Sequence, residues 1–269
     1  MVIYSWNMLF SNERLDDAFA FIRDADFDIF CLQEVPEKFL ERLKALPFHL
    51  VSRHERRIPV KRGTVPNFVV ILSKHPIEQH RSVSLSSSHP SHSLPLHTRM
   101  FVRFTPLTLF SDVREAVVHG FSDLERGALY ADIAIGDIPV RVFNFHLTLT
   151  QPAWRIDEFR STLAKRDREK RTIVCGDFNT LEKPHVSILN WLLGGRTSDA
   201  LLYRRERTTI ERHFVEHELV NPLRGSVTHP LSQSQLDHVL VSRSFSIKNA
   251  SVISNRHGSD HHPIRVEIA

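Results

Sequence analysis

The sequence is poor in cysteine: of 269 residues, only Cys31 and Cys175 carry a thiol. Both lie inside apolar runs, DIFCLQE and TIVCGDF, where a small buried thiol packs well and needs no bridge. A reducing, cytoplasmic setting is therefore expected. No apolar stretch reaches the length needed to cross a bilayer. At the N-terminus MVIYSWN is expected to enter a strand at once, so a charged segment followed by an apolar leader core is not expected there. Internal repeats and interdomain linkers are also missing, so residues 1–269 are expected to form one domain, as a monomer. Nor is there a strong excess of charge, since the formal net charge is +4 and the pI is near 9.3. That balance mildly favours an anionic substrate, such as nucleic acid, a phosphorylated metabolite or a lipid headgroup.

Apolar residues make up 41% of the chain and charged residues 25%, enough to bury a sizeable core. From Ser11, SNERLDDAFAFIRDAD spaces Leu15, Ala18, Phe19 and Ile22 as on one helix face, with Ser11 or Asn12 as the cap. DIFCLQEV then reads as a strand, and PEKFLERLKAL as a helix opened by Pro36. NFVVILS, MFVRFTP, LYADIAIGDIPVRVFNFHL and TIVCGDF read as strands, and WRIDEFRSTLAKR and PHVSILNWLL as helices. LDHVLVS, SFSIKNASVIS and HPIRVEI close the chain as strands. A hairpin is expected across Gly136-Asp137, so antiparallel pairing joins a layered α/β arrangement with helices outside packed sheets. Residues 81–99, rich in Ser, His and Pro, read as a loop, and FSDVREAVVHGFSDLERG as a surface insertion.

Polar residues stop the apolar runs at telling points. VIYSWN ends at Asn7, DIFCLQE at Glu34, VRVFNFH at His146, and TIVCGDFN at Asp177 and Asn179. Near the C-terminus come Asp237 in LDHVLVS, and Asp260 and His261 in GSDHHPI. Strand alternation puts Asp237 on the same face as Val239 and Val241, where a carboxylate is costly without a partner; His261 is a good candidate. Hard oxygen ligands such as Glu34 and Asp260 suit a divalent ion of the Mg2+ class, and His and Asn donors suit a phosphate whose charge grows during attack. With Asp177 to orient and deprotonate water, the chemistry read from the residues is metal-assisted phosphoester hydrolysis.

The ordered series SWNMLFSN, CLQEV, NFVVILSKHPI, FNFHLT, CGDFNT, QLDHVLVS and GSDHHPI resembles the endonuclease/exonuclease/phosphatase superfamily over nearly the whole chain. The resemblance implies a deoxyribonuclease I-like, four-layered α/β/β/α sandwich of two mostly antiparallel sheets, with one active site at their rim. It implies Glu34 as the main ligand of Mg2+, or of Mn2+, with Asn7 beside it and Asp260 completing the coordination. Asp177 would handle the water and Asn179 would contact the phosphate. His261, held by Asp237, would hydrogen-bond the phosphate, and His146 would be a second phosphate contact or a proton donor to the leaving group. Leu9 stands where exonuclease III-type repair enzymes commonly place an acid, and FNFHLT where they tend to carry a Tyr. The first departure removes one metal-supporting carboxylate, and the His-Leu pair of the second resembles the deoxyribonuclease I, sphingomyelinase and deadenylase side instead.

Nucleic acid is the leading substrate on this reading. A lipid headgroup or inositol phosphate is the alternative, and a catalytically silent binding module ranks lowest, because the metal- and water-handling residues are all present. Each strand-end residue taken alone also has a plain reading as a turn or cap residue. His238 and His262 are expected at the surface or behind the site, and His89, His92 and His97 as solvated imidazoles. Three basic groups have plain readings too: Arg53, Arg56, Arg57, Lys61 and Arg62 in a loop, Lys165, Arg166, Arg168, Lys170 and Arg171 at a helix end, and Arg204, Arg205, Arg207 and Arg212 on a solvated helix.

Overall fold

The computed structural model describes residues 1–60, 63–85, 127–149, 152–183 and 204–269, together with 96, 97, 100, 186, 188, 191 and 192. One sheet holds β1 (Val2–Asn7), β2 (Ile29–Pro36), β3 (His49–Val60), β4 (Gly63–Ser73), β11 (Ile247–Val252) and β12 (Ile264–Ile268), in the order β11-β12-β1-β2-β4-β3. The other holds β5 (Ile77–Ser84), β6 (Gly127–Ile135), β7 (Ile138–His146), β8 (Arg171–Asp177), β9 (Leu219–Val220) and β10 (Asp237–Ser242), in the order β5-β6-β7-β8-β10-β9. Each sheet has one parallel pair, β1 with β2 and β7 with β8, and is otherwise antiparallel. β1 pairs with β12, so the first and last strands of the chain share a ladder.

Alternation along the strands builds the layers. Ile3, Ile29, Cys31, Val69, Ile71, Val142, Ile173, Cys175, Val239 and Ile264 form a core between the sheets. Outward-facing Tyr4, Trp6, Phe30 and Leu32 pack under Ala18 and Ile22 of α1 (Leu15–Asp24) and Phe39 of α2 (Glu37–Leu43). Phe143, Phe145 and Val174 pack under Phe159 of α3 (Pro152–Leu163) and Ile210 and Phe214 of α4 (Arg204–Glu216). This is the α/β/β/α sandwich of the deoxyribonuclease I-like fold. Each fully buried Phe contributes roughly 1.5–3 kcal/mol of transfer free energy. Both cysteines are unbridged and buried in the inter-sheet core. Among the described residues no helix is long and apolar enough to cross a membrane.

Several local expectations are refined. Residues 53, 56 and 57 belong to β3, which among the described residues is an edge strand whose charged sequence suits pairing on one side only; Lys61 and Arg62 lie outside the described residues. Residues 81–84 end β5 rather than starting a loop. Helix α1 begins at Leu15 with Arg14 at its cap position; Asn12 instead accepts the Arg14 N–H with its side chain (2.7 Å). The expected strand MFVRFTP, the insertion after it, and His89 and His92 lie outside the described residues, as does part of PHVSILNWLL. The hairpin forms as expected, with Ile135 opposite Ile138 and Gly136 at φ 59°. Positive φ at the first loop residue alone fits a type II′ turn, which matches the twist of the paired strands.

Candidate active site

Towards one rim the inner faces change from apolar to polar. Ser5, Gln33 and Asn144 are fully buried there. Gln33 Nε2 donates to Asn144 Oδ1 (2.7 Å), and Asn144 Nδ2 donates to the carbonyls of Leu32 (2.9 Å) and Val70 (2.8 Å). This amide bridge ties the two sheets together where hydrophobic packing ends, and most of its polar groups are satisfied.

One step further out lie the strand-end residues. Strand register puts Asn7 beside Gln33, and Asp177 between His146 and Asp237. Glu34 sits at a break in the β2–β4 register and has φ 55°, so the backbone turns its carboxylate inward. Leu9, Glu34 and Asn179 all hold positive φ, a conformation that costs a non-glycine residue about 1 kcal/mol or more and gathers at functional sites. Gly176 (φ 147°) lies so close to β7 that a Cβ there would sit 1.9 Å from the Phe145 carbonyl oxygen. Only glycine allows β8 to bring Asp177 this close to His146.

Asp177 is the hub. Its Oδ2 accepts from Asn7 Nδ2 (3.0 Å) and its Oδ1 from the Asn179 N–H (2.8 Å). The Nε2 atoms of His146 and His261 lie 3.5 and 3.7 Å from Oδ2. Each imidazole is held at its other nitrogen by a carboxylate: His146 Nδ1 is 2.6 Å from Glu55 Oε1, and His261 Nδ1 is 2.8 Å from Asp237 Oδ2. That pairing fixes the ring so that Nε2 faces Asp177. Asn179 Nδ2 also donates to the Leu147 carbonyl (2.9 Å).

The electrostatics follow from this geometry. Burial alone would lower the pKa of His261, but Asp237 and Asp177 beside it raise it to about 10. For His146 burial is likewise outweighed, chiefly by the charge and hydrogen bond of Glu55, and its pKa is raised. Burial works against ionised Asp177, yet the two imidazoles and the Asn179 N–H hold its carboxyl below the usual range. Asp237 moves up, because burial prevails over its contact with His261. Near neutral pH the site thus holds an ionised Asp177 beside a protonated His261, and the neighbouring acids favour the protonated form of His146 as well.

The structure brings Asn7, His146, Asp177, Asn179, Asp237 and His261 into one set joined by hydrogen bonds and ion pairs. Glu34 joins through His146, whose Nδ1 is 3.9 Å from Glu34 Oε1, and accepts the Phe10 N–H at Oε2 (3.1 Å). Asp260 is linked to Asn7 through Ser259, whose Oγ donates to the Asn7 carbonyl (2.7 Å) and lies 3.4 Å from Asp260 Oδ1. Its carboxylate faces His229 (3.6 Å), and although burial works against it, His229 and the charge of His261 lower its pKa to about 2. Two residues escaped the sequence reading. Glu55 holds His146 and also accepts the Glu34 N–H at Oε2 (3.2 Å), yet its flanking arginines give it the look of a solvated charge run. His229 lies in a polar turn with no strand-end signal. His238, expected at the surface or behind the site, is fully buried. Its Nε2 is 2.9 Å from Arg207 Nη1, so Arg207 is a bracing residue behind β10 rather than part of a solvated face.

The sequence matches the endonuclease/exonuclease/phosphatase family over residues 4–261, and the chain belongs to that family, whose members are phosphoester hydrolases. No curated protein matches it. Among solved structures it is similar to an endonuclease/exonuclease/phosphatase from Beutenbergia cavernae, at 17% identity and TM-score 0.67, over 100% of this chain and 71% of that one. The human Nocturnin catalytic domain with a bound sulfate anion is 15% identical, with TM-score 0.63 over 100% and 94%. The 3′ phosphatase NExo from Neisseria, bound to a product DNA hairpin, is 16% identical, with TM-score 0.59 over 100% and 99%.

Enzymes of this family generally use divalent metals, and the donor set here fits one. Five acids, Glu34, Glu55, Asp177, Asp237 and Asp260, stand against His146, His229 and His261, and Asp237 Oδ1 is buried without a hydrogen-bond partner. Such an excess of carboxylate calls for a cation. Among the described residues, His229, Asp260 and His261, and also Asp177, Asp237 and His261, bring ligand atoms within 4.8 Å of one another; Glu34 falls in neither group. His261 is a poor ligand while Asp237 keeps it protonated. The oxygens of Glu34, Asp260 and Asn7 are the better donors, and they suit a hard ion.

Proposed function

We propose that the chain is a divalent-metal-dependent phosphodiesterase that hydrolyses nucleic acid, DNA or RNA, by attack of water on phosphorus. The observation that carries this reading is Asp177 set between the imidazoles of His146 and His261, each braced by its own acid. Asp177 orients the water and takes its proton as the new P–O bond forms. His261 Nε2–H and the second amide N–H of Asn179 donate to non-bridging phosphate oxygens. His146 Nε2–H is a further phosphate contact, or gives its proton to the leaving oxygen as the old P–O bond breaks. Glu34, Asp260 and Asn7 would hold Mg2+, or Mn2+, which would supply Lewis-acid polarisation of a phosphoryl or leaving oxygen.

The pI near 9.3 supports a polyanionic substrate, and so does the similarity to a 3′ phosphatase bound to a DNA hairpin. Leu9, at the position where exonuclease III-type enzymes commonly carry an acid, supports the second reading, a phosphodiesterase or phosphatase for a lipid headgroup or inositol phosphate. We read residues 1–269 as one domain, acting as a monomer in the cytoplasm. The test is hydrolysis of plasmid DNA, single-stranded DNA, RNA, sphingomyelin and an inositol polyphosphate, with and without Mg2+ or Mn2+, beside Asp177→Ala. Metal-dependent cutting of nucleic acid that the variant lacks is the expected result. Turnover of only the lipid or inositol substrates moves the function to the second reading, and silence on all five overturns both.

A further inference from the structure

We infer that His229, which belongs to none of the motifs above, is a third imidazole of this site and donates from Nε2–H to a non-bridging oxygen of the bound phosphate. The inference rests on the hydrolase reading and deepens it. His229 begins a tight turn: it pairs with Ser234 in an isolated bridge, and Gln233 N–H donates to the Pro230 carbonyl (3.2 Å). Neighbouring Thr228 anchors that turn to the site. Its Oγ1 accepts the N–H groups of Leu236 (2.9 Å) and Asp237 (3.0 Å), and its carbonyl accepts the His262 N–H (2.8 Å). The turn is thereby fixed to the strand that carries Asp237 and to the loop that carries His261.

The ring itself is oriented. Ser232 N–H donates to His229 Nδ1 (3.2 Å), with Ser232 Oγ 2.9 Å from the same atom. An Nδ1 that accepts a backbone N–H leaves the ring proton on Nε2. That Nε2 faces Asp260 Oδ2 at 3.6 Å, longer than a hydrogen bond, and the ring lies 4.7 Å from the His261 ring at 41°. The side chain is 13% exposed, so it is held in place yet within reach of a ligand at the rim. A fixed donor beside His261, turned to the carboxylate expected to hold the metal, is placed to meet the anion that metal binds.

The test compares wild type, His229→Ala and His229→Gln in the presence of Mg2+. Gln carries an N–H donor at a comparable reach. Two readouts are taken: kcat and KM on whichever substrate the wild type hydrolyses, and the Kd of inorganic phosphate by calorimetry. The inference predicts that His229→Ala loses about tenfold in kcat/KM and weakens phosphate binding by a similar factor, with His229→Gln recovering most of both and thermal melting unchanged. Hydrolysis and phosphate binding within twofold of wild type in His229→Ala overturn the inference and leave the hydrolase reading intact. Phosphate binding that depends on His229, in a protein silent on every substrate, keeps the inference and removes the hydrolase reading. A wild type that neither binds phosphate nor hydrolyses removes both.

Discussion

His146 and His261 make the same approach to Asp177 from different sheets, and each takes its bracing acid from the sheet it does not belong to. His146 ends β7 and is held by Glu55 of β3 in the facing sheet. His261 lies between β11 and β12 and is held by Asp237 of β10 in the facing sheet. Sheet-on-sheet packing therefore sets both imidazoles, and the amide bridge of Gln33 and Asn144 just below fixes that packing. The arms differ in what else the acid holds. Glu55 also accepts the Glu34 N–H, which couples the His146 arm to the expected metal ligand, whereas Asp237 is backed by Thr228.

The largest effect that breaks the comparison is loss of an imidazole. His261→Ala and His146→Ala are each expected to lower kcat/KM by about 100- to 1,000-fold, and the double variant by less than the product, because both rings act on one phosphate; steady-state kinetics on the preferred substrate checks this. Next come the braces, with Glu55→Gln and Asp237→Asn each expected to cost about 10- to 100-fold. Only Glu55→Gln should also raise the Mg2+ concentration needed for half-maximal rate, which a metal titration of both variants reads directly.

Effects on stability are smaller but equally specific. Arg155 and Glu206 form a buried pair, and Arg155 also donates to the carbonyls of Thr148 and Leu149, the segment that follows His146. Arg155→Ala leaves an unpaired buried acid and should destabilise by about 3–5 kcal/mol in urea unfolding. The pH effect is the subtlest. In chelated protein the raised pKa of His261 contributes stability that is fully present below 6.5 and is lost as pH rises towards about 10. Melting temperature should fall across that window, and His261→Gln should flatten the fall.

The same contrast shows what a sequence can carry. Asp237 was legible because it interrupts an apolar strand pattern, where a carboxylate sharing a face with Val239 and Val241 needs a partner, and His261 was the partner expected. Glu55 was not, because RHERR has no such pattern: its strand lies at the sheet edge, where charged side chains are tolerated and read as a solvated loop. His229 was hidden for a different reason, since its place depends on a turn pinned by Thr228 to residues distant along the chain. The layered α/β arrangement could be read from period-2 strands and helical spacing, whereas the four-layered sandwich followed only from the family resemblance. The reason for Gly176 could not, since it lies in the approach of the Phe145 carbonyl from another strand.

The central claim is that Asp177, between two acid-braced imidazoles, handles the water in a metal-dependent hydrolysis. It is tested most directly by measuring phosphodiester hydrolysis by wild type and Asp177→Asn after chelation and again after adding back Mg2+. The account predicts that chelation abolishes wild-type activity, that Mg2+ restores it, and that Asp177→Asn stays at least about 100-fold lower at saturating Mg2+. Activity that survives chelation, or an Asp177→Asn rate within a few fold of wild type, would contradict it.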